Sequence, residues 1–424
     1  MSIFAEPEER GLLDEAPEES RFRTELRAWL AEQNLPVLSA SDGAGRTAEE
    51  QDEESVRRTK EFQCGLAEAG FAALSWPEEC GGRGLPSRYE LIYQQEIAGY
   101  ELPTVLLGVG FGMCGPTILR HGTDAQRKRY LPPLVRGDEI WCQLFSEPGA
   151  GSDLASVRSR ATRVDGGWRV SGQKVWTSGG RHSQFGLALL RCDPSLPKHA
   201  GLMVAVVDMA APGVDVRPLR QMTGHAKFDE IFLDDVFIPD DQVVGAPTEG
   251  WTVARTTLLN ERVSVAGNTA LRGGSFAMLV AAARAAGKDE DPLLRGRLAD
   301  AWIDELVLGL LRERTKRAIQ AGRTPGPEGS VGKLAASRYI QKASRTGVLI
   351  HGENATAWDS EDEGVDEWAL RLCAAPGLAI GGGTDEIVMN IIGEQVLGLP
   401  REPSVNGARR TANTNGGTPP KGEE

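Results

Sequence analysis

Apolar residues change their spacing twice along this chain. From Arg21 onward, Phe22, Leu26, Trp29 and Leu30 recur at i, i+4, i+7 and i+8, the spacing of one helical face. Helical patterning with turns continues to Arg136, and Pro77, Gly81, Gly82 and Gly84 mark a loop inside it. Residues 124–130 read as a short surface helix ended by Pro132. Between Gly137 and Gly245 short apolar runs (167–170, 187–190, 203–207, 231–233) alternate with Gly, Asp and Pro turns, which predicts a small β-domain. Long helical patterns return after Trp251, as at 300–312 and 333–350. Residues 404–424 are rich in Asn, Gly, Thr, Pro and charge, a composition that predicts disorder. The expected organisation is α+β: a helical domain over 1–136, a middle β-domain over 137–245, a helical domain over 246–402 and a disordered tail over 403–424. No internal repeat is visible.

A chain of 424 residues is long enough for two or three domains with sizeable cores. Its formal charge of −13, with no run of Lys or Arg, argues against nucleic acid and against an anionic membrane surface. The first nineteen residues are acidic and lack an apolar core, unlike a signal or transit peptide. Residues 102–119 carry no charge but contain Gly108, Gly110, Gly112 and Gly115, which suits a buried helix pair beside a loop better than a membrane span. The six cysteines are scattered without a CxxC pair and read as reduced thiols in a cytoplasm. No pair among the five histidines has ligand spacing, so no metal site is expected.

The candidate chemistry starts at Ser146-Glu147-Pro148-Gly149-Ala150-Gly151-Ser152-Asp153. A loop so rich in Gly and small hydroxyl residues leaves backbone N–H groups bare for phosphate or for the polar edge of a planar cofactor. It follows Pro132-Pro133-Leu134-Val135-Arg136-Gly137-Asp138-Glu139 and precedes Gly172-Gln173-Lys174-Val175-Trp176-Thr177-Ser178. Near the far end stand Gly381-Gly382-Gly383-Thr384-Asp385-Glu386-Ile387 and Gly398-Leu399-Pro400-Arg401. In this order and at these spacings the set resembles the acyl-CoA dehydrogenase family of flavoproteins, over about residues 20 to 402. The resemblance implies an N-terminal helical domain, a middle β-domain and a C-terminal helical bundle around FAD. It also implies a reaction in which a base takes the α-proton of an acyl-CoA thioester while the β-hydrogen leaves as hydride to the flavin, forming a trans-2-enoyl-CoA. An electron-transfer flavoprotein is the implied partner, and a dimer or tetramer, homo- or hetero-oligomeric, the implied assembly.

Residue by residue, the resemblance implies that Phe145 contacts the cofactor, that Ser146 and Ser178 lie at the flavin ring edge and that Trp176 packs beside the ring. Gly151 and Ser152 match loop positions near the cofactor, and Ser152 also meets the pantetheine arm of CoA. Thr384 and Glu386 match flavin contacts on the adenosine and pyrophosphate side. As plain sequence, Trp176 also suits a core aromatic, Ser146 and Ser152 suit ordinary turns, and Thr384 suits a helix cap followed by two first-turn acids.

Two segments depart from the family pattern. Many members carry the catalytic Glu two residues before the Thr of the second Gly-rich segment; here that residue is Gly382, whose N–H is left to polarise the thioester oxygen. A minority carries its base on the first long helix after the β-domain, just before an Arg, and Glu261 occupies that position ahead of Arg262. Flanked by Leu258, Leu259, Val263 and Val265, Glu261 is expected in a partly apolar cleft whose burial would favour its protonated form and so suit a general base. The alternative is a Glu paired with an Arg on a solvated helix face. Arg262 is assigned to substrate binding or to orienting the helix. Asp385 and Glu386 are expected on the helix that Thr384 opens, directed at cofactor or solvent. The second departure is at the subunit interface, where Arg284 before Gly287 in 283–292 only partly matches an Arg–Phe-Gly–Gln pattern that reaches the neighbouring subunit's FAD, and where 350–368 lacks the usual Gly-rich pattern. Two other readings therefore stay open: a flavin oxidase or monooxygenase on the same fold, and a non-catalytic partner subunit of a mixed oligomer.

Overall fold

Alternate residues of the central strands feed two different cores. In the computed structural model, which describes residues 15–37, 53–268, 274–320, 326–356 and 366–401, the middle of the chain forms one eight-stranded sheet. Its strands are β1 (Trp141–Leu144), β2 (Arg160–Val164), β3 (Gly167–Ser178), β4 (Phe185–Arg191), β5 (Leu202–Asp208), β6 (Val214–Leu219), β7 (Phe228–Pro239) and β8 (Val243–Val244). They run β6-β7-β3-β2-β4-β5-β8, with β1 parallel beside β4. Leu187 and Leu189 of β4 and Val204 and Val206 of β5 join a core shared with the N-terminal helices. Ala188, Leu190, Met203, Ala205 and Val207, one residue out of phase, join a second core with Val170, Ile231 and Val236. Strands buried on both faces read as unbroken apolar runs, which is why they stand out in the sequence.

Among the described residues five helices precede the sheet: α1 (Pro17–Glu32), α2 (Glu53–Glu68), α3 (Ser87–Ile97), α4 (Gly115–His121) and α5 (Asp124–Arg136). The expected apolar face of α1 buries Phe22, Leu26 and Leu30. Two local expectations need correction. Helix α5 does not stop at Pro132: it passes through Pro132 and Pro133 and ends at Gly137, whose φ of 76° gives a left-handed cap. A Pro inside a helix costs about 3 kcal/mol. Burial of Leu131, Leu134 and Val135 in the first core offsets it. The uncharged stretch at 102–119 is not a helix pair. It forms a 3₁₀ turn at Val105–Leu107 and a π turn at Gly110–Cys114 that runs into α4. Glycine is required there for close packing: a Cβ on Gly110 would stand 2.6 Å from Leu134 Cδ1, and one on Gly115 2.3 Å from Trp76 Cη2.

After the sheet come α6 (Gly250–Asn268), α7 (Phe276–Ala285), α8 (Pro292–Gln320), α9 (Gly329–His351), α10 (Asp366–Leu378) and α11 (Asp385–Ile391). Helix α9 is the spine of this bundle; its Tyr339, Ile340, Ala343 and Ile350 form a third core with Leu279, Leu298 and Trp368. Helix α6 belongs to both halves. Its Val253 and Ala254 enter the first core, and its Thr257 and Thr256 meet Thr117 and His121 of α4 at 2.9 and 2.8 Å. One face of α8 leaves Trp302, Ile303, Leu306, Val307 and Leu310 in solvent. Among the described residues no helix is long and apolar enough to cross a membrane. The tail expected to be disordered lies outside the described residues.

Candidate active site

Strand β1 delivers the chain to the Gly-rich loop. Phe145 is buried, Ser146 is half-buried, and the Ser146 carbonyl accepts from Val175 N–H of β3 at 2.9 Å. The loop is less bare than its composition implies. Glu147 and Ala150 exchange both backbone hydrogen bonds at 3.0 Å and pinch it shut at its base. Beyond that pinch Gly149, Gly151 and Ser152 are exposed. A Cβ added at Gly149 or Gly151 would meet nothing within 4 Å, so the packing of this chain does not demand glycine there. Room kept on the outer side of a Gly-rich turn fits close approach by a bound group.

Beneath the loop lies a buried ion pair whose role sequence reading missed. Lys174 is fully buried, and its Nζ donates to Glu147 Oε1 at 2.8 Å, to Phe145 O at 3.2 Å and to Leu189 O at 2.6 Å. Three acceptors use all three protons of an ammonium. Burial pulls the Lys174 proton affinity down to about 8, with Glu147 opposing the fall. Burial also disfavours the Glu147 carboxylate, yet Lys174 and the N–H groups of Arg158 and Ser159, at 2.6 and 2.9 Å, hold it below the ordinary carboxylate range. Glu147 thereby ties both ends of the loop to β3. The available signal was two charged residues inside otherwise apolar or Gly-rich motifs.

On β3 the pairing with β7 slips between Lys174 and Thr177. In that bulge Trp176 adopts φ 63°, a left-handed conformation that is strained for an aromatic residue. Its indole is 58% exposed and touches Phe228 edge-on, 5.8 Å between centroids. Trp176 is therefore not a core aromatic. A strained backbone that presents a bare indole suits packing against a planar group. The following turn, which carries the exposed Ser178, is locked by Asp229, which accepts from Arg181 N and Nε, each at 2.9 Å.

Opposite β1, Glu261 of α6 is half-buried, and its Oε2 accepts from Gln143 Nε2 at 3.3 Å. Gln143 lies three residues before Ser146 and was not singled out from sequence. The side chain of Arg262 lies outside the described residues.

The second Gly-rich segment is anchored to α9. Gly382 and Gly383 have φ of 70° and 96°, and Thr384 caps α11 by accepting Ile387 N–H at 3.3 Å. Glu386 is exposed. Asp385 does not point at cofactor or solvent as expected. It accepts from Lys333 Nζ and Ser337 Oγ, each at 3.0 Å, because the nearly buried Lys333 ammonium needs a counter-charge. Asp385→Asn is accordingly a stability variant. Unfolding should cost about 1–3 kcal/mol less, while flavin reduction per bound FAD stays within about tenfold, roughly 1.4 kcal/mol. Melting curves and anaerobic stopped-flow traces check this; a loss of many orders with FAD bound would show that Asp385 takes part in the chemistry.

Two other features surround the site. Arg284 lines a groove of about 430 Å³ with Phe276, Val280, Leu298 and Trp302. A second groove of about 430 Å³ carries Arg158, Arg160, Arg191 and Lys198. It adjoins the Gly-rich loop, since Lys198 Nζ reaches Asp153 Oδ1 at 2.7 Å. Four cations in one groove suit a polyanion.

Family comparisons place the whole chain. The N-terminal, middle and C-terminal domain models of acyl-CoA dehydrogenases match residues 16–138, 142–236 and 248–397. The chain is 41% identical over 340 residues to acyl-CoA dehydrogenase FadE34 of Mycobacterium tuberculosis, covering 80% of this chain and 46% of that protein; it thus spans about half the length of that relative. It is 38% identical over 385 residues to acyl-CoA dehydrogenase IpdE1 of the same organism, covering 90% of this chain and 98% of that protein. A solved structure titled Tcur3481-Tcur3483 steroid ACAD superposes with a TM-score of 0.72 at 25% identity, over 92% of this chain and all of that one. The chain belongs to the acyl-CoA dehydrogenase family, whose members are FAD-dependent oxidoreductases.

Proposed function

We propose that this protein removes two hydrogens from an acyl-CoA thioester to give a trans-2-enoyl-CoA, with Glu261 as the base. The observation that carries the reading is the hydrogen bond from Gln143 to Glu261. It brings the carboxylate from α6 against the strand that leads into the cofactor loop. The loop Ser146–Asp153 and the bare indole of Trp176 fit FAD, with Ser146 and Ser178 at the ring edge and Phe145, Gly151 and Ser152 beside it. Bound FAD supplies the acceptor for the hydride that leaves the β-carbon. Glu261 takes the α-proton on a carboxylate oxygen. The Gly382 N–H polarises the thioester carbonyl, which makes that proton acidic. Thr384 and Glu386 serve the adenosine and pyrophosphate side, Arg284 reaches toward a neighbouring subunit's FAD, and Arg262 orients substrate or helix.

The groove of Arg158, Arg160, Arg191 and Lys198 is our site for the CoA phosphates. The solved relative's title makes a steroid-bearing acyl group the first candidate substrate. The exposed apolar face of α8 and the partial motif at Arg284 favour an oligomer, in which a sister chain supplies the rest of the FAD contacts. An electron-transfer flavoprotein is the proposed acceptor. Unpaired cysteines favour a reducing, cytoplasmic location.

Purified protein, alone or co-expressed with a sister chain, should be yellow with non-covalent FAD. Anaerobic addition of butyryl-, octanoyl-, palmitoyl- or a steroid-bearing acyl-CoA should bleach it, read from the flavin absorption spectrum. Fast oxygen consumption during turnover would favour an oxidase instead. Preparations that never take up FAD in either form would remove the enzyme reading.

A further inference from the structure

A polar side chain on an apolar strand face needs a partner. Along β1, Cys142 and Leu144 enter the second core, while Trp141 and Phe145 enter the first. Gln143 shares the face of Trp141 and Phe145, which are 1% and 3% exposed. It is half-buried there, and its Nε2 donates to Glu261 Oε2 at 3.3 Å. An ionised carboxylate only accepts, so the amide must present its nitrogen. The backbone of α6 one turn earlier is fixed from another direction: Thr256 meets His121 and Thr257 meets the fully buried Thr117. Helix α6 and the Glu261 carboxylate are thus contacted from two separate elements, α4 and β1.

We propose that Gln143 is a positioning residue that aims the Glu261 carboxylate and ties it to the strand presenting Phe145 and Ser146. This rests on Glu261 being the base. The arrangement is an economical one for proton abstraction: one strand carries both the edge of the cofactor site and the amide that aims the base. A rigidly aimed base matters because a misplacement of about 1 Å costs as much as 10²-fold in rate.

The test is a double-mutant cycle in the assembled flavoprotein with the acyl-CoA of the panel that bleaches the parent fastest. Gln143→Met keeps length and removes the donor. It should slow bleaching at saturating acyl-CoA by about ten- to a hundredfold and leave the half-saturating concentration within about twofold. In a Glu261→Gln background the same substitution should cost nothing further, because the group it aims is gone. A readout without hydride transfer is exchange of the substrate α-proton with deuterated water on dithionite-reduced enzyme, followed by mass spectrometry; it should slow by the same factor. If Gln143→Met loses FAD, Gln143→Asn, which keeps the amide but falls short of Glu261, takes its place. Parental rates for the Gln143 variants, or an equal cost in both backgrounds, overturn the positioning role while the base stands. A parental rate for Glu261→Gln alone overturns both.

Discussion

Glu261→Gln should bind FAD and acyl-CoA yet bleach its flavin at least about a hundredfold more slowly, a barrier increase of roughly 2.7 kcal/mol. The amide keeps the size of the carboxylate but cannot accept the α-proton. Retention of FAD is expected because the loop Ser146–Asp153 is held by Glu147 and Lys174, not by α6. Anaerobic stopped-flow absorbance measures the effect, with FAD content by spectrum as the control. Moving the carboxylate, by Glu261→Gly together with Gly382→Glu, should restore part of the rate. Full recovery is not expected: Gly382 sits at φ 70°, where a residue with a Cβ is disfavoured by about 1–2 kcal/mol. A Glu261→Gln protein that reduces its flavin at the parental rate would place the base elsewhere.

The second large effect is structural. Glu147→Ala strips the counter-charge from a fully buried ammonium and frees the Arg158 and Ser159 N–H groups. Leaving one member of a buried pair uncompensated costs about 3–5 kcal/mol. The variant should lose that much in denaturant unfolding and lose FAD with it, since the side chain that ties Arg158 and Ser159 to Lys174 beneath the loop is gone. Glu147→Leu with Lys174→Met should recover a large part of the stability, because both charges are then absent, though not the two N–H contacts. The pH dependence follows from the sign of the shift. Glu147 holds its proton more weakly folded than unfolded, so its stabilisation is complete above the ordinary carboxylate range and is lost as pH falls through its folded value. Lys174 contributes a cost rather than a gain, but with the same pH direction. With about 8 in the folded chain against 10.5 unfolded, the unfolded state binds more protons between those values, and the cost of burying the charge fades as pH rises across them. FAD retention should therefore fail first on the acid side, which a pH series of flavin release measures.

The sequence by itself determined the order helix, sheet, helix and the chemical kind of the site. Period is a local property: α1 shows its buried stripe at four-residue steps, and β4 and β5 show apolar runs because neighbours cover both of their faces. The motif residues Ser146, Trp176 and Thr384 could be named because a Gly-rich loop and a helix cap are written in consecutive residues. What the tertiary structure decided depends on contacts between residues far apart in the chain. The 102–119 segment became a π turn because Gly110 and Gly115 lie against Leu134 and Trp76, and α5 ran through two prolines because its far end is buried. Asp385 turned to Lys333, 52 residues away in sequence; Lys174 reached Glu147 across 27, and Gln143 met Glu261 across 118. In each case burial leaves a charge or an amide that must find a partner, and only the folded chain shows which partner is within reach.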